Sequence, residues 1–169
     1  MRFVVTGEAS RNRLLQTIVV IYVLYVAGLW LTNALLYFQK MSLDPTSVVE
    51  YYLGTEARFL PPRSFQSLLE VSHFHLFAMG MLMLVLTHLM LFVPLADRTK
   101  LWLIVVPFAS ALVDEGAGWA VRFVSPVFAL LKVAGFLALQ SSLAALILLS
   151  LWSVFRGSPQ SYRGESGGR

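Results

Sequence analysis

There is no cysteine in this chain of 169 residues, which excludes disulfides, iron–sulfur clusters, thiolate metal sites and thioether-attached haem. Charge is scarce as well. Only 13% of the residues are Asp, Glu, Lys or Arg, against about a quarter in an ordinary soluble domain. Glycine-rich nucleotide loops, a nucleophile elbow and the zincin motif are all missing, so no soluble-enzyme signature is present. What is abundant is apolar surface. Apolar residues make up 57% of the chain, more than a water-soluble core of this length hides, so lipid is the solvent for much of it.

Charge-poor runs long enough to cross about 30 Å of hydrocarbon mark four spans, at about 14–38, 71–96, 101–122 and 126–155. Together they predict an all-α, integral membrane four-helix bundle occupying residues 1–156, followed by a disordered cytoplasmic tail at 157–169. The first run is too long for a signal-peptide core and no small-residue cleavage site follows it, so it reads as a retained span. Ser125 and Pro126 are a capping residue and a pre-set first helical residue for the fourth span. Lys132 then falls in its first two turns, where it is expected to snorkel to the headgroups. Pro107 lies inside the third span and is expected to kink it.

The net charge of +4 is a topology signal rather than a nucleic-acid footprint, because the basic residues flank the apolar runs. Arg2, Arg11 and Arg13 lie in the N-terminal tail, Arg98 and Lys100 between the second and third spans, and Arg156, Arg163 and Arg169 in the C-terminal tail. The link from Gln39 to Glu70 instead balances Lys40, Arg58 and Arg63 with Asp44, Glu50, Glu56 and Glu70. By the positive-inside rule both termini are expected to be cytoplasmic, in a bacterial inner membrane, with the long link facing outward. Within that link, Thr46 to Leu53 and Arg58 to Leu69 carry apolar and aromatic residues on either side of Pro61-Pro62. They predict short surface helices capping the bundle.

All three histidines, His73, His75 and His88, fall on the second span. Ionisable groups inside a membrane are expensive, and by default they are functional-site hypotheses. At about 100° per residue, His73 and His88 come within about 60° of one another, separated by about 22 Å along the axis, one near each leaflet. His73 and His75 diverge by about 200°, so both cannot address one neighbouring site. Two imidazoles on one face suit axial ligation of two stacked haems. The surrounding Phe77, Met79, Gly80, Met81 and Met83, with Gly116, Gly118 and Trp119 on the third span and Gly135 on the fourth, offer bulky walls and places for close approach. The chain lacks enough histidines for two bis-histidine haems; a parallel homodimer, a methionine ligand or an open position would make up the deficit. The plainer reading makes these histidines helix-end groups bonded to headgroups or carbonyls, and the methionines packing.

Asp114 and Glu115 interrupt the third span, with Arg122 about two turns beyond on the same face. Adjacent carboxylates in hydrocarbon must be protonated, paired or wetted. Arg122 would have to reach back, or act through water, to pair with Glu115. Either acid could orient an imidazole that binds haem or metal, or the two could form a buried polar clamp with Gly116 and Gly118 marking close helix packing.

The stretch EYYLGTEARFLPPRSFQSLLEVSHFHLFAMGMLMLVLTHLMLF resembles an uncharacterised bacterial family of small four-span membrane proteins. The shared pattern is an outward YY.G segment, an SF..LLE.(S/T)H.H helix start and a further histidine late in that helix. It spans the long link through the third span, about two thirds of the chain. Some members resemble companions of c-type cytochromes, which implies an electron-transfer setting. The chain is also similar to the cytochrome b561 class in size and span count. It departs from that class by gathering its histidines on one helix, so no ligand is carried over.

The expectation is therefore a homodimeric membrane b-type haem protein that transfers electrons and is not a stand-alone catalyst. His73 or His75 would serve an outer haem and His88 an inner one, with a periplasmic cytochrome or a respiratory complex as partner. The alternatives are a non-haem transition metal held by His73, His75 or His88 together with Asp114 and Glu115, and an accessory subunit of a respiratory or photosynthetic complex.

Overall fold

The computed structural model describes residues 13–155; the expected cytoplasmic tail at 157–169 lies outside them. Five α-helices follow one another: α1 Arg13–Lys40, α2 Pro45–Leu53, α3 Phe65–Met90, α4 Asp97–Phe123 and α5 Ala129–Phe155. The described residues form an all-α fold. The α1, α3 and α4 helices, and α5 together with the short turn before it, are each long and apolar enough to cross a membrane.

The α5 helix is the hub, packing on α4, α1 and α3. Its sequence explains why. Ala129, Lys132, Phe136, Leu139, Leu143, Leu146 and Ser150 recur in steps of three and four and are all buried, a continuous seam along one side of the helix. The α1 helix lies antiparallel to it. The Tyr37 ring stacks on Phe136, with centroids 3.7 Å apart, and further along Trp30 Nε1 donates to the Gln140 carbonyl at 3.0 Å. Val23 then joins Leu143 and Leu146 in the apolar core at the other end. Leu24, Tyr25, Phe74, Phe77, Leu112, Leu130 and Leu148 point out of the bundle, as a lipid-facing belt should.

The helices extend beyond or stop short of the apolar runs for local reasons. Ser64 caps α3, its Oγ accepting from Ser67 N at 3.1 Å, and Pro61-Pro62 bars helix immediately before it. The α3 helix thus starts at Phe65, not at residue 71. It ends at Met90 rather than 96, ahead of Pro94, and α4 starts at Asp97 rather than 101. The Lys100 ammonium donates to the Leu91 carbonyl at 3.0 Å, serving one of the acceptors left at the end of α3. At the start of α5, Ser125 Oγ accepts from Val127 N at 3.4 Å, and Pro126 opens a 3-10 turn that leads into the helix. The α4 helix continues through the buried Pro107.

One of the two expected surface helices is present. Asp44 caps α2 by accepting from Thr46 N at 3.0 Å, and bonds from Thr46 hold its carboxyl below the usual range. Val48 and Tyr52 of α2 are buried against α4 and α5, so α2 caps that end of the bundle. The segment 58–69 is not a separate surface helix, because 65–69 already belong to α3 and 59–64 are not helical. Thr55 and Leu60 exchange backbone hydrogen bonds of 3.0 Å around a 3-10 turn, and Arg63 N then donates to the Tyr52 carbonyl at 3.0 Å. Gly54 permits this reversal. Its φ is +81°, and a Cβ there would stand 2.5 Å from the Leu60 carbonyl oxygen.

Candidate functional site

At the α2 end of the bundle, polar side chains from α3, α4 and α5 converge on two adjacent carboxylates. Ser72 and His75 lie three residues apart on α3, hence on neighbouring positions of one face. Glu115 and Trp119 are four apart on α4 and meet them. Ser72 Oγ donates to Glu115 Oε1, Trp119 Nε1 donates to Ser72 Oγ at 2.8 Å, and His75 Nδ1 lies 3.2 Å from Glu115 Oε2. The glutamate thus receives a hydroxyl and an imidazole, the kind of satisfaction a buried carboxylate requires.

Asp114 sits about 100° further round α4 and faces α5 instead. There Lys132 Nζ stands 2.9 Å from Asp114 Oδ1 and donates to the Asp114 backbone carbonyl at 2.9 Å. The Lys132 side chain is only 8% exposed. It does not snorkel to the headgroups, because an acid one helix away offers closer compensation than the membrane surface. Gly135 makes this possible. A Cβ there would be 3.0 Å from the Asp114 backbone, so the absence of a side chain lets α4 and α5 approach.

Arg122 does not pair with Glu115. Its Nε donates to the Arg63 carbonyl at 2.7 Å, and its guanidinium lies 5.0 Å from the Phe123 ring centroid. It anchors the link ahead of α3. Gly118 is also accounted for by packing, since a Cβ there would meet the Tyr52 hydroxyl at 2.6 Å. The Tyr52 ring fills the space expected for a macrocycle. Burial, with Asp114 next in weight, raises the Tyr52 hydroxyl above its usual range. Gly116, by contrast, has open space beside it.

The three histidines do not share a site. All three are exposed; His75 alone is tied to Glu115, while His73 and His88 have edge-on aromatic neighbours, Phe74 and Phe92 respectively. Among the described residues no group of three or more His, Asp and Glu is placed to hold a metal ion. His75 and Glu115 make a two-residue beginning, and Asp114 is engaged by Lys132.

Two spaces open in the bundle, the first beside these groups. A cavity of about 120 Å³ lies among α1, α3, α4 and α5, lined by Asn33, His75, Asp114 and Glu115 at its polar part and by Met79, Met83, Phe108 and Leu139 elsewhere. A groove of about 800 Å³ lies between α1 and α3, lined almost wholly by apolar and aromatic residues including Tyr22, Tyr25, Leu29, Met81 and Val85. Gly28 leaves open space above its floor. Met81, Val85 and His88 fall on one stripe of α3, four and three residues apart, with His88 one turn beyond the residues that line the groove.

Ser72, Lys132 and Asn33 are not legible in the sequence as site groups, and Trp119, expected as a wall for a haem, instead donates to Ser72. Ser72 looks like an ordinary span residue until α3 and α4 are aligned. Asn33, an amide in an apolar run, is the one of these that the sequence itself marks as a polar group inside a span.

A bundle with this lipid-facing belt, a buried ion pair and four helices long and apolar enough to cross a bilayer is a multi-pass membrane protein. Within that class the chain belongs to the Aq_1264_TM family, a transmembrane helical domain whose family model matches residues 42–161. No curated protein and no solved structure matches the chain.

Proposed function

We propose that this protein is a b-type haem carrier of the bacterial inner membrane that moves electrons, with haem seated in the α1–α3 groove and His88 as its axial ligand. The supporting observation is a groove of about 800 Å³ whose α3 wall includes Met81 and Val85, on the helix stripe that reaches His88 three residues further on. That size falls in the range of about 300–1,000 Å³ found for sites of cofactors and comparable small molecules. The cavity of about 120 Å³ is too small for a macrocycle, and at Gly118 the Tyr52 ring already occupies the space. The groove is open on its outer side, so a second copy in parallel orientation would cover the haem and add its own His88 to hold it. His73, exposed on α3 toward the α2 end, marks the position of a second haem.

In this reading both termini are cytoplasmic, following the Lys and Arg distribution. The α2 cap and the Thr55–Leu60 turn then face a periplasmic cytochrome or a respiratory complex. The YY.G and SH.H patterns, and the likeness to companions of c-type cytochromes, support the same setting. The haem would supply the one-electron chemistry, while the chain supplies the ligand, the apolar walls and the exclusion of water.

A second reading, a non-haem metal ion, is favoured by the 3.2 Å approach of His75 and Glu115. With Asp114 engaged, its further ligands would come from water or a second copy. The test is haem content in His88→Ala. Loss of haem from a folded variant supports the proposal, and unchanged haem removes His88 as ligand.

A further inference from the structure

We infer that the cavity among α1, α3, α4 and α5 binds the ring of a bilayer-soluble quinone or hydroquinone. Its volume of about 120 Å³ is close to the about 150 Å³ of an engineered cavity that takes up benzene, so it suits one six-membered ring. Its walls are chemically divided as such a ring requires. Met79, Met83, Phe108 and Leu139 face the carbon skeleton, with two thioethers available for sulfur–aromatic contact. Glu115 and His75 offer acceptors for a hydroquinone hydroxyl, and the Asn33 amide offers a donor for a quinone carbonyl.

Three observations point to a ligand rather than to incidental space. Asn33 is well inside α1 and lines the cavity, yet among the described residues its amide has no hydrogen-bond partner. An unpartnered amide in a membrane span is costly. Gly80 also lines the cavity, and nothing stands within 4 Å of where its Cβ would be. Neighbouring helices therefore do not require a glycine there, although glycine disfavours a helix interior; what its missing side chain preserves is the space. Finally, Leu76 and Leu112 line the cavity and are 52% and 61% exposed. They place its rim on the lipid-facing side, where a membrane-dissolved ligand arrives. The inference does not rest on haem, since binding alone is claimed and either reading can fail without the other.

The test is titration of the full-length, detergent-purified protein with a benzoquinone bearing a ten-carbon tail, read by quenching of tryptophan emission. Trp119 reports directly, being bonded to Ser72 of the same cluster. Saturable quenching at one quinone per chain is expected, weakened at least about tenfold, or about 1.4 kcal/mol, in both Gly80→Leu and Asn33→Leu. Helicity and elution volume should be unchanged. If Gly80→Leu fails to fold, Gly80→Ala, which adds one methyl to open space, serves in its place with a smaller loss of affinity. Non-saturable quenching, or saturable quenching of equal affinity in both variants, would overturn the proposal. Displacement of the quinone by an equal concentration of palmitate would assign the cavity to an acyl chain and overturn it equally.

Discussion

Lys132 of α5 and Asp114 of α4 form an ion pair, Nζ to Oδ1 at 2.9 Å, inside the membrane-spanning part of the bundle. The two side chains are 8% and 17% exposed, so neither charge has bulk water to fall back on. The same ammonium also takes the Asp114 backbone carbonyl, and Gly135 brings the two helices close enough for both contacts.

A charge pair of this kind is weak as a net source of stability but expensive to break on one side. Lys132→Met should therefore destabilise the protein by about 3 kcal/mol, since it leaves a buried carboxylate that must be neutralised. The double variant Lys132→Met with Asp114→Asn should recover most of that loss. Unfolding in detergent measures both, and additive losses would contradict the pairing.

The glycines make a second, graded test. At Gly135 an added methyl meets backbone at 3.0 Å, at Gly118 it meets the far end of the Tyr52 side chain, and at Gly116 it meets nothing within 4 Å. Alanine should accordingly cost about 1–3 kcal/mol at 135 and less at 118. At 116 the substitution should be neutral or stabilising by up to about 1 kcal/mol, as helix propensity dictates. Thermal midpoints of the three variants in one detergent would check the order. A Gly116→Ala variant as damaged as Gly135→Ala would reveal a partner or cofactor at that open position.

Gln140 offers a stabilising change. Both atoms of its side-chain amide are buried without a partner among the described residues, although its backbone carbonyl accepts from Trp30. Replacing it with leucine removes an unsatisfied amide and keeps the volume, so the unfolding free energy should rise by about 1 kcal/mol or more. A fall instead would mean that the amide holds something the chain itself does not provide.

Much of the architecture was legible in the apolar runs, because hydrocarbon thickness and span length are tied by the helical rise. The boundaries were less so. Residues such as Glu70, Asp97 and Lys100 continue a helix past the hydrocarbon edge, and hydropathy reports the lipid-embedded stretch rather than the helix. For the site, Asp114 and Glu115 were visible as misplaced charges, but their partners were not. Spacing along α4 made Arg122 the natural counter-ion for Glu115, whereas the structure supplies Lys132 to Asp114 from a helix that sequence spacing does not relate to it. The histidines were legible as residues but not as a group. Ser72 and Glu115 draw His75 to the α3–α4 seam, while the stripe with Met81 and Val85 sets His88 beside the groove.

The histidine assignment separates further by residue. On the haem reading, His88→Ala removes haem from the groove, whereas His75→Ala should leave haem content unchanged and alter the Glu115 cluster instead. Equal haem loss in the two variants would contradict the placement of His75 away from the haem.

The most direct test of the central claim is the absorption spectrum of the detergent-purified protein, oxidised and dithionite-reduced, with a pyridine haemochrome assay. A Soret band, α and β bands that sharpen on reduction, and a b-type haemochrome at a haem-to-chain ratio consistent with sharing between two copies are expected. A featureless spectrum from well-folded, helical protein would contradict that claim.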